Sequence, residues 1–190
     1  KFPPGYVSAY DAAGNDTVDG GLVIDLSAMR AVAVDPEARI ARAQGGATWA
    51  DLDGATQAHG LATPGGAVST TGVAGLTLGG GIGHLRRKYG LSCDNLVGAE
   101  VVLASGEVVR ASATEHPDLL WGLRGGGGNF GVVTTFEFAL HPVGPEILMV
   151  MVMYPVEQLA TVMPAWRDFM ATAPDELSCN GFLTSVPAVP

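Results

Sequence analysis

Short apolar runs, each bounded by turn-forming residues, divide the chain into predicted β-strands. Pro36-Glu37-Ala38 separates two of these runs and Ser105-Gly106 separates two others, so two β-hairpins are expected. The later runs stand alone and predict single strands. The predicted strands cover residues 22–26, 31–35, 39–43, 99–104, 107–111, 132–140, 147–154 and 182–186.

Apolar residues at helical spacing predict a helix that starts at Trp49 and ends near Ala58. Thr48 and Asp51 match a capping box in which Asp replaces the usual Glu. Gly60 suits a left-handed position after the helix. His59 lies in the last turn, where a cation suits the helix dipole, and it is therefore interpreted as structural.

Two further helices are expected downstream. One begins at Pro117, because proline fits the first helical position. The other contains Pro164 as a candidate kink and is predicted to bury its apolar stripe in a core. That stripe consists of Val156, Leu159, Met163, Trp166 and Met170.

Glycine dominates the stretch from Pro64 to Leu96, which contains nine of these residues. Glycine loses more backbone entropy on folding than other residues, so such density needs a reason. One interpretation is a loop whose N–H groups and hydroxyls hold the pyrophosphate of an anionic, planar cofactor. The other is that the glycines let chain segments cross closely. Arg86-Arg87-Lys88, within the stretch, is interpreted as a solvated face.

A second glycine cluster covers Gly125–Gly131, and Gly126, Gly128 and Gly131 match G-x-G-x-x-G. The cluster follows a predicted helix and enters a strand, whereas the Rossmann fingerprint follows a strand and opens a helix. The sequence also has no P-loop and no G-x-S-x-G elbow, which argues against a P-loop nucleotide site and a serine hydrolase.

Composition argues against several classes of partner and location. The chain has 19 Asp and Glu against 10 Lys and Arg, which argues against nucleic acid or an anionic membrane as partner. The apolar run 147–154 is too short to span a bilayer. No signal peptide is visible, which favours the cytoplasm, although the chain begins with Lys1 rather than Met.

The two cysteines, Cys93 and Cys179, do not form a disulfide framework, and neither has a metal ligand at suitable spacing, so no metal site is expected. Cys93 has two interpretations. It is a small buried hydrophobic residue, or it is a thiolate that attacks an electrophilic carbon of a cofactor ring beside the glycine loop.

Three segments together resemble the FAD-linked oxidases of the berberine-bridge-enzyme-like group, within the vanillyl-alcohol-oxidase superfamily. They are 19–53, 60–96 with its GLSCDNL motif, and 117–145 with its GGGGNFGV motif. The resemblance spans about residues 12–186 in order. It implies an α+β, PCMH-type FAD-binding domain. The second subdomain would be largely complete and the first mostly missing, and the start of an α+β substrate domain would follow.

The resemblance also implies the cofactor site. In the doubly linked members of that group, the cysteine matching Cys93 forms a covalent bond to the flavin, so the resemblance implies Cys93 as a covalent link. Tyr10 stands where doubly linked members have a second, histidyl link, so that link is not expected. The other implied FAD-binding residues are Pro64, Thr70, Thr71, Gly72, Gly75, Thr77, Gly79, Gly80, Gly83, Gly128, Asn129, Gly131 and Val132.

The resemblance implies three regions: residues 1–20 as a remnant of the first FAD subdomain, 21–145 as the FAD-binding subdomain, and 146–190 as the beginning of a substrate-binding domain. The expected parent protein is an FAD-dependent oxidase that removes a hydride from an alcohol or amine carbon of a small molecule, with dioxygen as acceptor. The alternative is a truncated or non-catalytic FAD-binding module. No catalytic base is assigned, because the matching region lies beyond Pro190.

Overall fold

The computed structural model describes residues 23–184, which divide into two units between Ile147 and Leu148. The first unit is built on a five-stranded sheet in which every pair of neighbours is antiparallel. A two-stranded sheet accompanies it. The strands in chain order are β1 Val32–Asp35, β2 Ile40–Gln44, β3 Leu61–Ala62, β4 Leu96–Val102, β5 Val108–Ser112, β6 Val132–Ala139 and β7 His141–Pro142.

The order across the large sheet is β1-β2-β6-β4-β5, and β3 pairs with β7 in the small one. Both predicted hairpins are confirmed, as β1–β2 and β4–β5. The long predicted strand is β6, and it lies in the centre between the two hairpins. Helices connect these strands, so the α+β prediction is confirmed.

Four short helices belong to this unit: α1 Trp49–Gln57, α2 Val73–Leu78, α3 Arg86–Tyr89 and α4 Pro117–Leu123. The predicted helices at Trp49 and Pro117 are confirmed, and Gly60 takes the left-handed conformation, with φ of 65°. Helices α2 and α3 were not predicted. The core lies between the sheet and the helices, where Trp49 contacts Phe138 and Phe138 stacks on Phe136 at ring-centroid distances of 6.0 and 6.1 Å.

Asp51 fastens the start of α1 and supports a pH-dependent prediction. Its Oδ2 atom accepts hydrogen bonds from the backbone N and the hydroxyl of Thr48, both at 2.8 Å, and Arg30 donates to the same carboxylate. Burial alone would raise the pKa of Asp51, but the bonds from Thr48 and Arg30 outweigh it and hold the pKa below its usual value.

We expect Asp51→Asn to lower the free energy of unfolding by about 1 kcal/mol at neutral pH, the usual cost of weakening an N-terminal cap. Because the folded-state pKa is depressed, the stabilisation is complete above the unfolded pKa of about 4 and is lost as the pH falls through the folded value. Urea denaturation from pH 7 to pH 3 should show that the stability difference between the parent and Asp51→Asn becomes smaller. Glu37→Gln, on an exposed turn, should show no stability difference from the parent. A pH-independent difference would contradict the assignment.

The predicted strand 22–26 is wrong for its described residues, 23–26. The chain turns there, because the Leu26 carbonyl accepts a hydrogen bond from the Met29 N–H at 2.8 Å and the Met29 carbonyl accepts one from the Gly46 N–H at 2.9 Å. A Cβ on Gly46 would overlap the Leu26 carbonyl oxygen. Residues 23–26 therefore pass close to the backbone of Gly46 and pair with no strand.

The second unit contains a 3₁₀ turn, Val156–Gln158, and α5, Leu159–Thr172, which includes Pro164. The helix is confirmed, but the expectation that its stripe is buried is wrong, because no residue of α5 is buried. The predicted strand 147–154 is also wrong. Its side chains are 55–92% exposed, and no described strand pairs with it. The described part of 182–186 forms no strand either.

Candidate functional site

Two glycine-containing segments and residues 92–93 meet at one place in the first unit. The Ser92 and Cys93 N–H groups donate to the carbonyls of Gly81 and Gly80, both at 2.9 Å. The Gly127 N–H donates to the carbonyl of Leu78, also at 2.9 Å. We call the segments 79–81, 92–93 and 125–128 the glycine cradle. Gly80 and Gly81 have φ of 109° and 82°, a conformation that side chains rarely allow, and it presents their carbonyls to the cysteine turn.

The glycines divide into positions where segments cross and positions that are open. A Cβ on Gly83 would overlap the carbonyl oxygen of Gly65, and one on Gly131 would lie 2.6 Å from the Val102 oxygen. These glycines allow segments to cross. In contrast, Gly125 and Gly128 would place a Cβ in open space, with no heavy atom within 4 Å. At such open positions the backbone is accessible to a ligand.

The hydroxyl-rich part of the loop is fastened to the start of α1. The Trp49 N–H donates to the Thr71 carbonyl at 3.0 Å and the Ala50 N–H donates to the Ser69 carbonyl at 2.8 Å. Gly72 forms an isolated β-bridge with Thr48. These bonds use the backbone carbonyls, while Thr70 is exposed and Thr71 half-buried. The bridge therefore positions the loop and leaves the Thr70 side chain at the surface.

Thr77 lies on the inner side of the cradle. Its hydroxyl is fully buried and lies 3.0 Å from the hydroxyl of Ser92. This bond joins α2 to the residue before Cys93. Gly75 is half-buried in the same helix, and its carbonyl accepts a hydrogen bond from the Gly79 N–H at 3.2 Å, while Gly79 itself is exposed. Pro64 is buried before the crossing of Gly65 and Gly83.

Cys93 begins a 3₁₀ turn, Cys93–Asn95, and is 5% exposed. Burial raises the pKa of its thiol, and the neighbouring Asp94, whose Oδ1 lies 4.0 Å from Sγ, raises it further. The positive charge of Arg124 partly opposes this effect on the pKa. The thiol is therefore protonated at neutral pH and shielded from bulk solvent.

Arg124 was missed by sequence reasoning. Its Nε and Nη2 atoms donate to the Leu96 carbonyl at 3.0 and 2.7 Å, which holds the guanidinium beside the cysteine turn. Arg124 directly precedes the second glycine cluster in the sequence, and this position could have identified it as a candidate site residue. Only the fold shows that this cluster and Cys93 are neighbours.

The second cluster ends in residues with different environments. Asn129 is exposed and donates from Nδ2 to the Gly126 carbonyl at 2.7 Å. Gly131 crosses Val102, and Val132 begins β6. Tyr10, the predicted replacement for a second flavin link, lies outside the described residues.

The cradle fits a bound anionic group. Open backbone at Gly125 and Gly128 can approach an anion, and a guanidinium lies beside the thiol. Two buried polar atoms near Gly65, Trp49 Nε1 and Thr63 Oγ1, have no hydrogen-bond partner among residues 23–184. Buried donors of this kind usually bind a partner, so they are also consistent with a polar group at this loop.

Comparisons with known proteins place this chain among FAD-binding proteins. Residues 8–112 match the family described as FAD binding domain. An FAD-linked oxidoreductase (pgmH) of Aspergillus terreus is 51% identical over 137 residues, which is 72% of this chain and 27% of that protein. The chain thus spans well under half of the curated relatives it matches, 38% in the case of (R)-6-hydroxynicotine oxidase.

Two solved structures are similar to this chain. The crystal structure of 6-hydroxy-D-nicotine oxidase from Arthrobacter nicotinovorans has a TM-score of 0.78 and 38% identity, over 83% of this chain and 35% of that one. The Acremonium strictum glucooligosaccharide oxidase, whose structure is described as revealing a novel flavinylation, has a TM-score of 0.68 and 37% identity. The match covers 80% of this chain and 32% of that one.

A search of residues 23–184 found no helix with the length and hydrophobicity needed to cross a bilayer.

Proposed function

The chain belongs to the FAD binding domain family, matched over more than half of its residues, and we propose that it is the FAD-holding part of an FAD-dependent oxidase. The observation that carries the proposal is that Cys93 and the second glycine cluster both bond to the segment that ends α2 and opens the first glycine turn, at Gly80 and Leu78. We place the protein in the berberine-bridge-enzyme-like group because three motif-bearing segments occur in order. When bound, FAD would supply the hydride-transfer chemistry that oxidises an alcohol or amine carbon of a small molecule, with dioxygen as the final acceptor.

The chain's own residues divide the task of holding the cofactor. The exposed backbone of Gly79, the open backbone at Gly128 and the exposed hydroxyl of Thr70 would contact the pyrophosphate and adenosine side. Buried Thr77 and the crossings at Gly83 and Gly131 would act by shaping the cradle. The complete proposed set is Pro64, Thr70, Thr71, Gly72, Gly75, Thr77, Gly79, Gly80, Gly83, Cys93, Gly128, Asn129, Gly131 and Val132.

Cys93 would be the covalent link. Its Sγ would replace a hydrogen on a ring carbon, so the S–H and C–H bonds break and one C–S bond forms. The two protons and two electrons released reduce dioxygen to hydrogen peroxide. Because the thiol is buried and its pKa raised, it is unreactive toward solvent, and the bond would form only to a ring bound inside the cradle.

The names of the relatives support the substrate class. One solved neighbour is an oxidase of a hydroxynicotine, an amine, and the other is an oxidase of an oligosaccharide, which carries alcohols. A second candidate function is an FAD-binding module that needs further segments for turnover. The chain spans 27% of the length of the Aspergillus protein.

The test is purification of the chain with excess FAD, followed by acid precipitation and an absorption spectrum of pellet and supernatant. We expect flavin absorbance in the pellet, since a covalent bond survives denaturation. Flavin in the supernatant alone would support FAD binding without the link. A protein that neither retains FAD on gel filtration nor quenches its fluorescence would contradict the proposal. Turnover with hydrogen peroxide release separates the oxidase from the binding module.

A further inference from the structure

A polar network fastens the far end of the cysteine turn. Asn95, the last residue of the 3₁₀ turn, is buried, and its Nδ2 donates to the carbonyls of Tyr89 and Leu91, both at 2.8 Å. Its Oδ1 lies 2.7 Å from Nε2 of His141 in β7. Asn95 therefore joins the turn to the end of α3 on one side and to the small sheet on the other.

This geometry determines the tautomer of His141. The two carbonyls accept hydrogen bonds from the Asn95 amide nitrogen, so the orientation of the amide is fixed with Oδ1 facing the imidazole. An amide oxygen only accepts, and Nε2 of His141 must therefore carry a proton. Neutral His141 is thus the Nε2–H tautomer, with the lone pair on Nδ1.

The surroundings favour the neutral imidazole. The Tyr89 ring stacks on His141 with centroids 3.9 Å apart and planes 13° apart, and Lys88 Nζ lies 5.3 Å from the centroid of the Tyr89 ring. Burial lowers the pKa of His141, and the positive charges of Arg39 and Lys88 lower it further. The ring therefore stays neutral at pH 7, held as a donor to Asn95.

We propose that His141 and Asn95 are positioning residues that hold Cys93 in place in the cradle. The two ends of the turn are fixed separately: the Ser92 and Cys93 N–H groups bond to Gly81 and Gly80, and Asn95 bonds to His141. Removing the imidazole donor leaves the buried Oδ1 of Asn95 without its hydrogen bond and weakens the hold on this end, so the turn opens more often. This proposal rests on the proposed function in one respect: the position of Cys93 matters for function because Cys93 would bond to the flavin.

The test measures the alkylation rate of the Cys93 thiol without FAD, in a Cys179→Ser background that leaves one reactive cysteine. We expect His141→Leu to react about tenfold faster than the parent, the factor that a lost hydrogen bond produces in a local opening equilibrium. His141→Gln should react at close to the parent rate, because the glutamine amide places a donor near the former Nε2. Parent-like alkylation of His141→Leu, or equal acceleration in both variants, would overturn the proposal.

A second measurement needs no substitution. Nitrogen-correlated NMR of the chain should show the His141 imidazole as the neutral Nε2–H tautomer at pH 7, and the midpoint of its protonation should lie below the ordinary histidine pKa of about 6.5. A neutral Nδ1–H tautomer would contradict the hydrogen bond and the proposal with it. Both experiments are independent of FAD, so a failure to bind FAD would leave them unaffected.

Discussion

Gly83→Ala is expected to lower the free energy of unfolding by about 4 kcal/mol or more, a large part of the stability of an ordinary domain. A Cβ at this position would overlap the carbonyl oxygen of Gly65, and its next neighbours are also backbone atoms of Gly65. Backbone cannot move aside as a flexible side chain can. Removing this overlap would require the backbone at Gly83 to move away from the backbone at Gly65. Gly65 in turn packs against the Trp49 ring. Urea denaturation followed by circular dichroism measures the loss.

Two other glycines provide matched controls. Gly54 lies in α1 with no heavy atom near a Cβ, so Gly54→Ala should raise stability by about 0.5–1 kcal/mol through helix propensity. Gly128→Ala should leave stability within about 0.5 kcal/mol, because its Cβ would also be in open space. It should instead weaken FAD binding about tenfold in a fluorescence titration, if the backbone there approaches the cofactor. Equal stability of all three variants would contradict the division between crossing and open glycines.

That division also shows what the sequence could not provide. Glycine density predicts unusual backbone, but the same residue type serves a crossing at Gly83 and an open loop at Gly128. Only the atoms across the crossing distinguish them. The hairpins were predictable, because alternation and turn residues are local signals that β1–β2 and β4–β5 follow closely.

Elements that depend on distant partners were mispredicted or missed. Helix α2 begins where the Val73 N–H donates to the Ala47 carbonyl, a contact across 26 positions that no local pattern encodes. Residues 147–154 have a strand-like composition, yet a strand needs a partner, and none is present among the described residues. The apolar stripe on α5 likewise predicts a helix with an apolar face, but the sequence does not indicate which residues pack against that face.

The site residues were likewise predictable where the signal is local and missed where it depends on distant partners. The nearness of Cys93 to the first glycine loop was predictable from their separation along the chain. The approach of the second cluster, through the Gly127 N–H and the Leu78 carbonyl, was expected from the family resemblance rather than from any pattern of residues. Arg124 and His141 acquire their positions beside Cys93 and Asn95 only through the sheet order, and so neither was named.

Cys93→Ser should abolish covalent flavin completely. Serine keeps the size of the side chain but lacks a nucleophile able to form the thioether, so all flavin should pass into the supernatant after acid precipitation. Binding before precipitation should persist, because the cradle backbone is unchanged. Cys179→Ser is the matched control and should retain covalent flavin in full, since Cys179 belongs to the other unit, where it accepts a hydrogen bond from Trp166.

Cys93→Ala separates the two interpretations of this cysteine. If Cys93 is only a small buried hydrophobic residue, then alanine should cost about 1 kcal/mol of stability and leave the flavin in the pellet unchanged. If it is the covalent link, alanine should eliminate pellet flavin just as serine does. The raised pKa of the thiol adds a further expectation: covalent attachment should accelerate as the pH rises from 7 to 9, because the thiolate is the attacking form and is scarce at neutral pH. A rate that falls over this range would contradict attack by the Cys93 thiolate.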